Sequence, residues 1–118
     1  MTHLDRHSFL VFATELALEA GFVLEKYWGK LSSIEEKSAS WDLVTEADRE
    51  SEAMILQRIK KQFSDHQILS EESGHHEGKK SSYTWIVDPL DGTTNYTHQY
   101  PFVSISIALA FEGYPIVS

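Results

Sequence analysis

Cysteine is absent from the 118 residues of this sequence. The chain therefore forms no disulfide, has no thiolate with which to hold zinc, and cannot use a cysteine nucleophile. It also lacks an uninterrupted apolar run of the length that a membrane span requires, and its N-terminus lacks the apolar core and cleavage site of a signal peptide. From these absences we expect a cytoplasmic protein that does not insert into a membrane.

Basic residues are also scarce, with 10 Lys and Arg against 18 Asp and Glu and a formal net charge of −8 at pH 7. A surface of this sign repels a phosphate backbone, which argues against a protein that binds nucleic acid non-specifically. What the sequence does contain is 42% hydrophobic residues, a proportion typical of globular proteins. The length allows one domain, and we find neither an internal repeat nor a linker.

Hydrophobic periodicity predicts an ordered series of helices and strands. Apolar residues recur every three or four positions over residues 5–28 and 45–63, which indicates two amphipathic helices. Strands are predicted at residues 31–37, 67–70, 83–88, 103–111 and 114–118, with a hairpin turn at residues 112–113 and a polar loop at residues 75–82. We therefore predict an α/β architecture, an α+β layered sandwich in which two long helices pack on a largely antiparallel sheet.

The most informative stretch covers residues 83–96. Its first half alternates like a buried strand, which we predict to stop at Asp88, because Pro89 removes a backbone donor and restricts the residue before it. The Asp91-Gly92 pair indicates a turn. Residues 93–95 are all of types that cap helices, so we predict a short helix from Thr93 that ends before Pro101.

This turn brings together groups that suit a metal and a phosphate. Asp88 and Asp91 lie three residues apart, so their carboxylates can converge, and without a cation they would repel each other. Hard oxygen ligands of this kind suit Mg²⁺ or Mn²⁺. Gly92 allows a ligand to approach the backbone closely, and amides at a helix N-terminus favour phosphate. The alternative interpretation is an ordinary strand, turn and helix with two solvated aspartates.

Residues 88–95, Asp-Pro-Leu-Asp-Gly-Thr-Thr-Asn, resemble the signature of the inositol monophosphatase family. These enzymes are magnesium-dependent, lithium-sensitive phosphomonoesterases, related to fructose bisphosphatases and bisphosphate nucleotidases. The resemblance continues through residues 102–107 and two upstream motifs, and covers about the first half of the family's usual domain. It implies that residues 1–118 are the N-terminal part of a single, apparently truncated domain, the front half of the family's layered fold.

The first upstream motif covers residues 42–48. Thr45 is a good N-cap, and Asp48 stands where a capping box places an acid, so the motif has a purely structural interpretation. It also resembles the family pattern Asp-x-Val-Thr-x-x-Asp. That resemblance implies that Asp48 faces the metals and helps to orient the attacking water. Both roles can hold at once, because a side chain in the first turn can face back along the helix axis.

The second upstream motif starts at Glu71, directly after a predicted strand. Paired glutamates at a strand end are usually exposed loop charges, but here they resemble the family's Gly-Glu-Glu-Ser element, whose first Glu ligates metal. Ser70 stands where Gly is commoner. Lys37 resembles a lysine on a mobile loop near the metals. The adjacent His75 and His76 favour a solvated loop over a metal site, because neighbouring side chains converge poorly on one ion.

The resemblance implies a complete set of roles around two or three Mg²⁺ ions, for which Mn²⁺ could substitute. The implied metal ligands are Glu71, Asp88, the Leu90 carbonyl and Asp91, with Asp88 bridging two ions. The implied catalytic pair is Asp48 and Thr93, which position the nucleophilic water. The implied substrate-binding residues are Glu71, Leu90, Asp91, Gly92 and Thr93. In the family a further metal-binding Asp comes from a later motif, which these residues do not contain.

The expected activity is therefore hydrolysis of a phosphate monoester, an inositol monophosphate in particular. Thr94 and Asn95 resemble the inositol-phosphate branch of the family more than the nucleotidase branch. Two alternatives stay open: a related sugar or nucleotide phosphatase of the same superfamily, and a truncated, non-catalytic chain that acts only as an interaction partner. We expect a small-molecule phosphate monoester as partner, no nucleic acid, no membrane, and a possible homodimer.

Overall fold

The computed structural model describes residues 3–31, 34–36, 43–76 and 81–118. In chain order the elements are α1 (His3–Tyr27), β1 (Ile34–Glu36), β2 (Leu43–Thr45), α2 (Glu46–Gln62), β3 (Gln67–Ser70), β4 (Gly74–His76), β5 (Tyr83–Asp91), α3 (Thr93–Thr97), β6 (Ser104–Phe111) and β7 (Tyr114–Val117). The two long helices predicted from periodicity are therefore present within one or two residues of their expected bounds.

Five strands form one sheet in the order β4-β3-β5-β6-β7, and β1 pairs separately with β2. Within the larger sheet β3 and β5 run parallel, whereas the other three neighbouring pairs are antiparallel. The sheet is thus mixed and largely antiparallel, as predicted. The parallel pair matters most for the candidate site, because it brings the C-terminal ends of β3 and β5 to the same edge.

Both long helices pack on one face of this sheet. The core cluster draws on both helices and on the inward-facing side chains of the central strands, including Leu16, Ala20, Ile55, Ile59, Ile68, Trp85, Val87 and Leu109. On α2 the buried residues Ala47, Ser51, Ile55 and Ile59 follow the predicted four-residue steps. Each helix therefore buries one apolar stripe, as expected for amphipathic helices on a sheet.

Helix α1 is both long and apolar in composition. Over Asp5–Tyr27 it is long and apolar enough to cross a membrane, judged by length and composition alone. Glu15 and Glu19 divide its apolar residues, so the sequence shows no uninterrupted apolar run there. Leu16 and Ala20 of the same helix are buried in the core described above. A core helix passes the same test, so the finding carries no conclusion about membranes.

Two predictions were wrong about strand ends. The predicted polar loop from His75 begins as strand β4, which pairs antiparallel with β3 and places His75 opposite Leu69. Strand β5 does not stop at Asp88 but continues to Asp91. Pro89 is tolerated there because the register with β6 shifts between Asp88 and Asp91, and an irregular ladder does not need the missing donor.

The hairpin between β6 and β7 lies where the sequence predicted it. Glu112 and Gly113 both have positive φ, 51° and 84°, which is the requirement of a type I′ turn.

Candidate active site

The site begins where β5 ends. Gly92 is the N-cap of α3 with φ 93° and ψ 38°, in the left-handed region that favours glycine. A Cβ on Gly92 would lie 2.8 Å from the Phe102 carbonyl oxygen. That same carbonyl accepts a hydrogen bond from Asn95 Nδ2 at 2.9 Å. The glycine therefore lets the turn after β5 pack against the loop before β6. The N-cap of α3 is Gly92 and not one of the polar residues 93–95.

Asp48 caps α2 and also contacts Thr93, whereas its role towards a metal or a water stays a prediction. Its Oδ2 accepts hydrogen bonds from Thr45 N at 2.9 Å and Thr45 Oγ1 at 2.6 Å, and its own N–H reaches Thr45 Oγ1, which completes the capping box. Its Oδ1 accepts from Thr93 Oγ1 at 3.0 Å. Asp48 is fully buried, so both oxygens of a buried carboxylate have donors, as such a charge requires.

Thr93 lies between two acceptors. Its Oγ1 is 3.0 Å from Asp48 Oδ1 and 3.4 Å from the Leu90 carbonyl oxygen. A hydroxyl has one proton to donate and two lone pairs with which to accept. Because the shorter contact is to Asp48, the proton lies there, and the lone pairs are left to accept from another donor.

The pKa of Asp88 responds to burial and to neighbouring acidic groups. Burial raises the pKa of Asp88, a hydrogen bond from Leu90 N at 3.3 Å opposes that shift, and the carboxylates of Asp91, Glu71 and Asp48 raise the pKa further. Carboxylates from three parts of the chain therefore lie near enough to disfavour the charged form of Asp88. A bound divalent cation relieves repulsion of this kind.

Glu71 is exposed at the end of β3, beside this group. Its N–H donates to the Val87 carbonyl at 3.0 Å, which ties it to β5. Glu71 and Asp88 line one groove of about 260 Å³ with Leu69, Ser70, Ile86, Val87 and Ser106. The parallel pairing of β3 and β5 thus brings two of the predicted metal ligands to a common groove.

The donor chemistry of these residues fits magnesium. Carboxylates and a backbone carbonyl are the oxygen ligands that Mg²⁺ prefers, and this ion usually keeps several waters instead of a full protein cage. Within residues 3–31, 34–36, 43–76 and 81–118, no three acidic or histidine side chains are already gathered as a metal-binding group. A cation there would have to draw the carboxylates of Glu71, Asp88 and Asp91 closer together.

Two contacts near the site were not predicted from the sequence. Ser70 Oγ donates to Glu52 Oε2 at 2.7 Å, and Tyr96 Oη donates to the Leu24 carbonyl at 2.6 Å. Burial, with the charges of Asp48 and Glu46, raises the pKa of Tyr96 to about 12, so its phenol keeps the proton. The four-residue step from Asp48 to Glu52 could have signalled the first contact, since it puts both on one helix face. Lys37, Trp41 and Asp42 lie outside the described residues.

Comparison with known proteins assigns this arrangement to a family. A sequence profile of the "Inositol monophosphatase family" matches residues 5–118. This chain belongs to the inositol monophosphatase family. The resemblance of residues 88–95 to the family signature is thereby confirmed.

Curated relatives of this chain include an inositol-1-monophosphatase and a protein named as a Nus factor. Inositol-1-monophosphatase of Synechocystis sp. is 47% identical over 113 residues, which are 96% of this chain and 39% of that protein. Nus factor SuhB of Salmonella typhimurium is 38% identical over 108 residues, which are 91% of this chain and 40% of that protein. The chain thus spans about two fifths of these relatives, and its description as part of one domain stays a prediction.

Solved inositol monophosphatase structures confirm the predicted fold class. The extragenic suppressor protein suhB of Bartonella henselae superposes with a TM-score of 0.86 at 34% identity, over 92% of this chain and 42% of that one. An IMPase/NADP phosphatase complexed with Mg²⁺ and phosphate superposes with a TM-score of 0.82 at 26% identity, over 94% of this chain and 42% of that one.

Proposed function

We propose that this protein is a magnesium-dependent phosphatase that hydrolyses an inositol monophosphate to inositol and phosphate. The observation that carries the proposal is the 3.0 Å hydrogen bond from Thr93 to the buried Asp48 carboxylate, beside a turn where the charges of Asp91 and Glu71 raise the pKa of Asp88. Membership of the inositol monophosphatase family and the name of the Synechocystis relative support the choice of reaction and substrate.

Asp48 and Thr93 position the attacking water in this proposal. Because Thr93 donates its proton to Asp48, its oxygen accepts a hydrogen bond from water and turns one lone pair of that water towards the phosphorus. Asp48 in turn is fixed by two donors from Thr45, so the acceptor cannot rotate away. Water attacks directly, and no covalent phospho-enzyme is formed.

Glu71, Asp88, the Leu90 carbonyl and Asp91 would hold two or three Mg²⁺ ions, or Mn²⁺ in their place. When bound, such ions polarise the phosphoryl group, lower the pKa of a bound water and neutralise the leaving oxygen. The amides of Gly92 and Thr93 would hold the phosphate. Helix α3 has only five residues, so this contribution comes from the amides themselves and little from a helix dipole.

Phosphate release from inositol monophosphate tests the proposal, with Mg²⁺ and with a chelator. Substitutions of groups around metal ligands typically cost about 10- to 100-fold in affinity or activity, so Asp88→Asn, which alters a ligand, should cost at least about 100-fold. Asp65→Asn removes the same charge from an exposed turn after α2 and should leave turnover unchanged. Turnover that is equal in chelator and in Mg²⁺ would contradict the proposal.

Substrate choice within the superfamily is decided by a panel of phosphate monoesters. We expect inositol monophosphate to give a higher kcat/KM than sugar phosphates or nucleotide phosphates, and we expect inhibition by Li⁺. If a sugar phosphate or a nucleotide phosphate gives the highest kcat/KM, the proposed reaction stands and the proposed substrate is wrong. Cytoplasmic location and a homodimer stay predictions, which cell fractionation and sedimentation test.

A second candidate is a non-catalytic role as an interaction partner. It is favoured by relatives such as the Salmonella protein, whose name, Nus factor SuhB, describes no reaction. The two candidates differ in one measurement. If the purified protein releases no phosphate from any member of the panel at millimolar Mg²⁺, the catalytic proposal fails and the interaction role is left.

A further inference from the structure

Helix α2 carries two carboxylates that reach two different strand ends. Asp48 Oδ1 accepts from Thr93 Oγ1, just beyond β5, at 3.0 Å. Glu52, four residues further along the helix, accepts from Ser70 Oγ, at the end of β3, at 2.7 Å. Residues four apart lie on the same helix face. One face of α2 therefore contacts the last residue of β3 and the first residue of α3, which follows β5 after one residue.

Ser70 is well placed to transmit this contact to its neighbour Glu71. Its side chain is buried, with 3% of its surface exposed, and its backbone lies between Gly74 of β4 and Val87 of β5. The N–H of Glu71 then donates to the Val87 carbonyl at 3.0 Å. The start of the Glu71 side chain is therefore held from two directions, by β5 through the backbone and by α2 through the Ser70 hydroxyl.

A hydrogen bond from a hydroxyl to a carboxylate is among the stronger ones in proteins, because one partner is charged. Glu52 is half-buried, so water screens this contact less than it would at the surface. By contrast, Glu50 of the same helix accepts from Lys26 Nζ at 3.1 Å and Tyr27 Oη at 2.8 Å, both on α1. The two glutamates carry the same charge and lie on the same helix, but Glu50 contacts α1 whereas Glu52 contacts β3.

We propose that Glu52 is a positioning residue of the active site. Through the Ser70 hydroxyl it fixes the end of β3, so that the Glu71 carboxylate faces the groove that it shares with Asp88. The inference rests on the proposed function, because it takes Glu71 as a metal ligand. Neither Glu52 nor Ser70 contacts the cation or the substrate in this account.

Five variants in the complete protein test the proposal: Glu52→Ala, Glu52→Gln, Ser70→Ala, the double variant that combines Glu52→Ala with Ser70→Ala, and the control Glu50→Gln. Binding of Mn²⁺ is measured without substrate by electron paramagnetic resonance of the free ion. The Mg²⁺ concentration at half-maximal phosphatase rate, the rate at saturating Mg²⁺ and the Tm of each variant are measured in parallel. The metal measurement separates positioning from a contribution to stability alone.

Outer partners of metal ligands typically contribute about tenfold or more to affinity, so we expect Ser70→Ala and Glu52→Ala each to weaken Mn²⁺ binding about tenfold. The double variant should lose no more than either single one, because both remove the same hydrogen bond. Glu52→Gln should lose less, since its amide oxygen still accepts from Ser70. Glu50→Gln should bind Mn²⁺ like the wild type. The half-saturating Mg²⁺ concentration should rise while the saturated rate recovers.

Three results would overturn the proposal. If Glu52→Gln and Glu52→Ala weaken Mn²⁺ binding equally while Ser70→Ala does not, the charge of Glu52 acts at a distance and positions nothing. If Tm falls in the variants while Mn²⁺ affinity stays, the contact only stabilises the fold. If the wild type binds no Mn²⁺, both this inference and the proposed function fail. A protein that shows the expected Mn²⁺ pattern but releases no phosphate supports the inference and defeats the proposed function alone.

Discussion

His66 shows how far a single side chain is determined by its surroundings. Its ring stacks between Phe63 and Tyr83, with ring centroids 4.7 and 4.6 Å away. Its Nδ1 lies 3.0 Å from Trp85 Nε1, an indole nitrogen that can only donate. The fold thus holds His66 as the neutral tautomer with an unprotonated Nδ1. Burial lowers the pKa of His66, although the charge of Asp65 opposes the shift.

We expect the protein to lose stability in mild acid through this residue. Because the pKa of His66 is lower in the fold than in the unfolded chain, its contribution is fully present above the unfolded value of 6.5 and is lost as pH falls through the folded pKa. Tm measured from pH 8 to pH 5 should fall more for the wild type than for His66→Gln. His98→Gln, on an exposed side chain, should follow the wild type. Equal slopes for all three proteins would contradict this role.

Gly92 and Gly113 form a matched pair of glycines with positive φ, 93° and 84°. A Cβ at Gly113 meets nothing within 4 Å, whereas one at Gly92 meets the Phe102 carbonyl at 2.8 Å. Gly113→Ala should therefore cost only the conformational term, about 1–2 kcal/mol. Gly92→Ala should cost more and should also reduce phosphate release. Urea unfolding gives both free energies, and equal values would show that the turn relaxes around the clash.

Sequence reasoning at this scale succeeds where partners are close along the chain. The capping box of Thr45 and Asp48 could be predicted, since its members are three residues apart and the motif has a known geometry. The bond from Thr93 to Asp48 spans 45 residues, and only the family resemblance put the two in one site. The contact of Glu52 with Ser70 spans 18 residues. The four-residue step from Asp48 puts Glu52 on the same helix face but does not identify Ser70 as its partner.

At the scale of elements, the side chain of Tyr96 on α3 contacts the C-terminal end of α1. The last carbonyls of a helix lack partners within the helix, and Tyr96 Oη of α3 donates to one of them, Leu24 O. The Tyr96 ring also meets Trp28 edge-on, with centroids 5.2 Å apart. A single side chain therefore joins the end of α1 to the short helix that follows the signature turn.

Tyr96→Phe should keep the ring contact and lose only the hydroxyl. The Leu24 carbonyl would then be buried without that donor, which typically costs about 1–3 kcal/mol. Chemical denaturation measures the loss, with Tyr114→Phe as the control, because Tyr114 is 76% exposed. A cost for Tyr96→Phe that does not exceed that of Tyr114→Phe would mean that water replaces the hydroxyl.

Elements with a strong apolar period were predicted well, and short polar ones were not. Both long helices and the β6–β7 hairpin follow directly from spacing and turn chemistry. Strand β4, Gly-His-His, carries no hydrophobic pattern, so its pairing with β3 depends on backbone hydrogen bonds that composition does not reveal. The continuation of β5 past Pro89 was missed for a related reason: a register shift, which depends on the neighbouring strand, removes the penalty on proline.

At the scale of the whole molecule, α1 and α2 pack on one face of the sheet, and neither covers the other face within the described residues. Leu69 and Ile86, which are register partners on β3 and β5, point to the other face and are 45% and 44% exposed. The candidate groove runs along this face, next to an apolar surface. With a net charge of −8, the molecule also carries a surplus of negative charge that favours cations over anions.

Cation binding should therefore stabilise the whole molecule. A ligand present at 100 times its dissociation constant adds about 2.7 kcal/mol to the free energy of unfolding. We expect Mg²⁺ to raise Tm at pH 7, Asp88→Asn to remove most of that rise, and Asp65→Asn to keep it. Thermal denaturation at a series of Mg²⁺ concentrations measures the effect. A rise in Tm that survives Asp88→Asn would place the cation elsewhere.

The spacing of the two carboxylates on α2 also constrains how the gene can change. Each added residue turns an α-helix by about 100°, so one codon inserted or deleted between Asp48 and Glu52 would swing one carboxylate off the shared face. The strand end that lost its contact could not be recovered by a substitution elsewhere on the helix. We therefore expect the length of this segment to stay constant among descendants that keep both contacts.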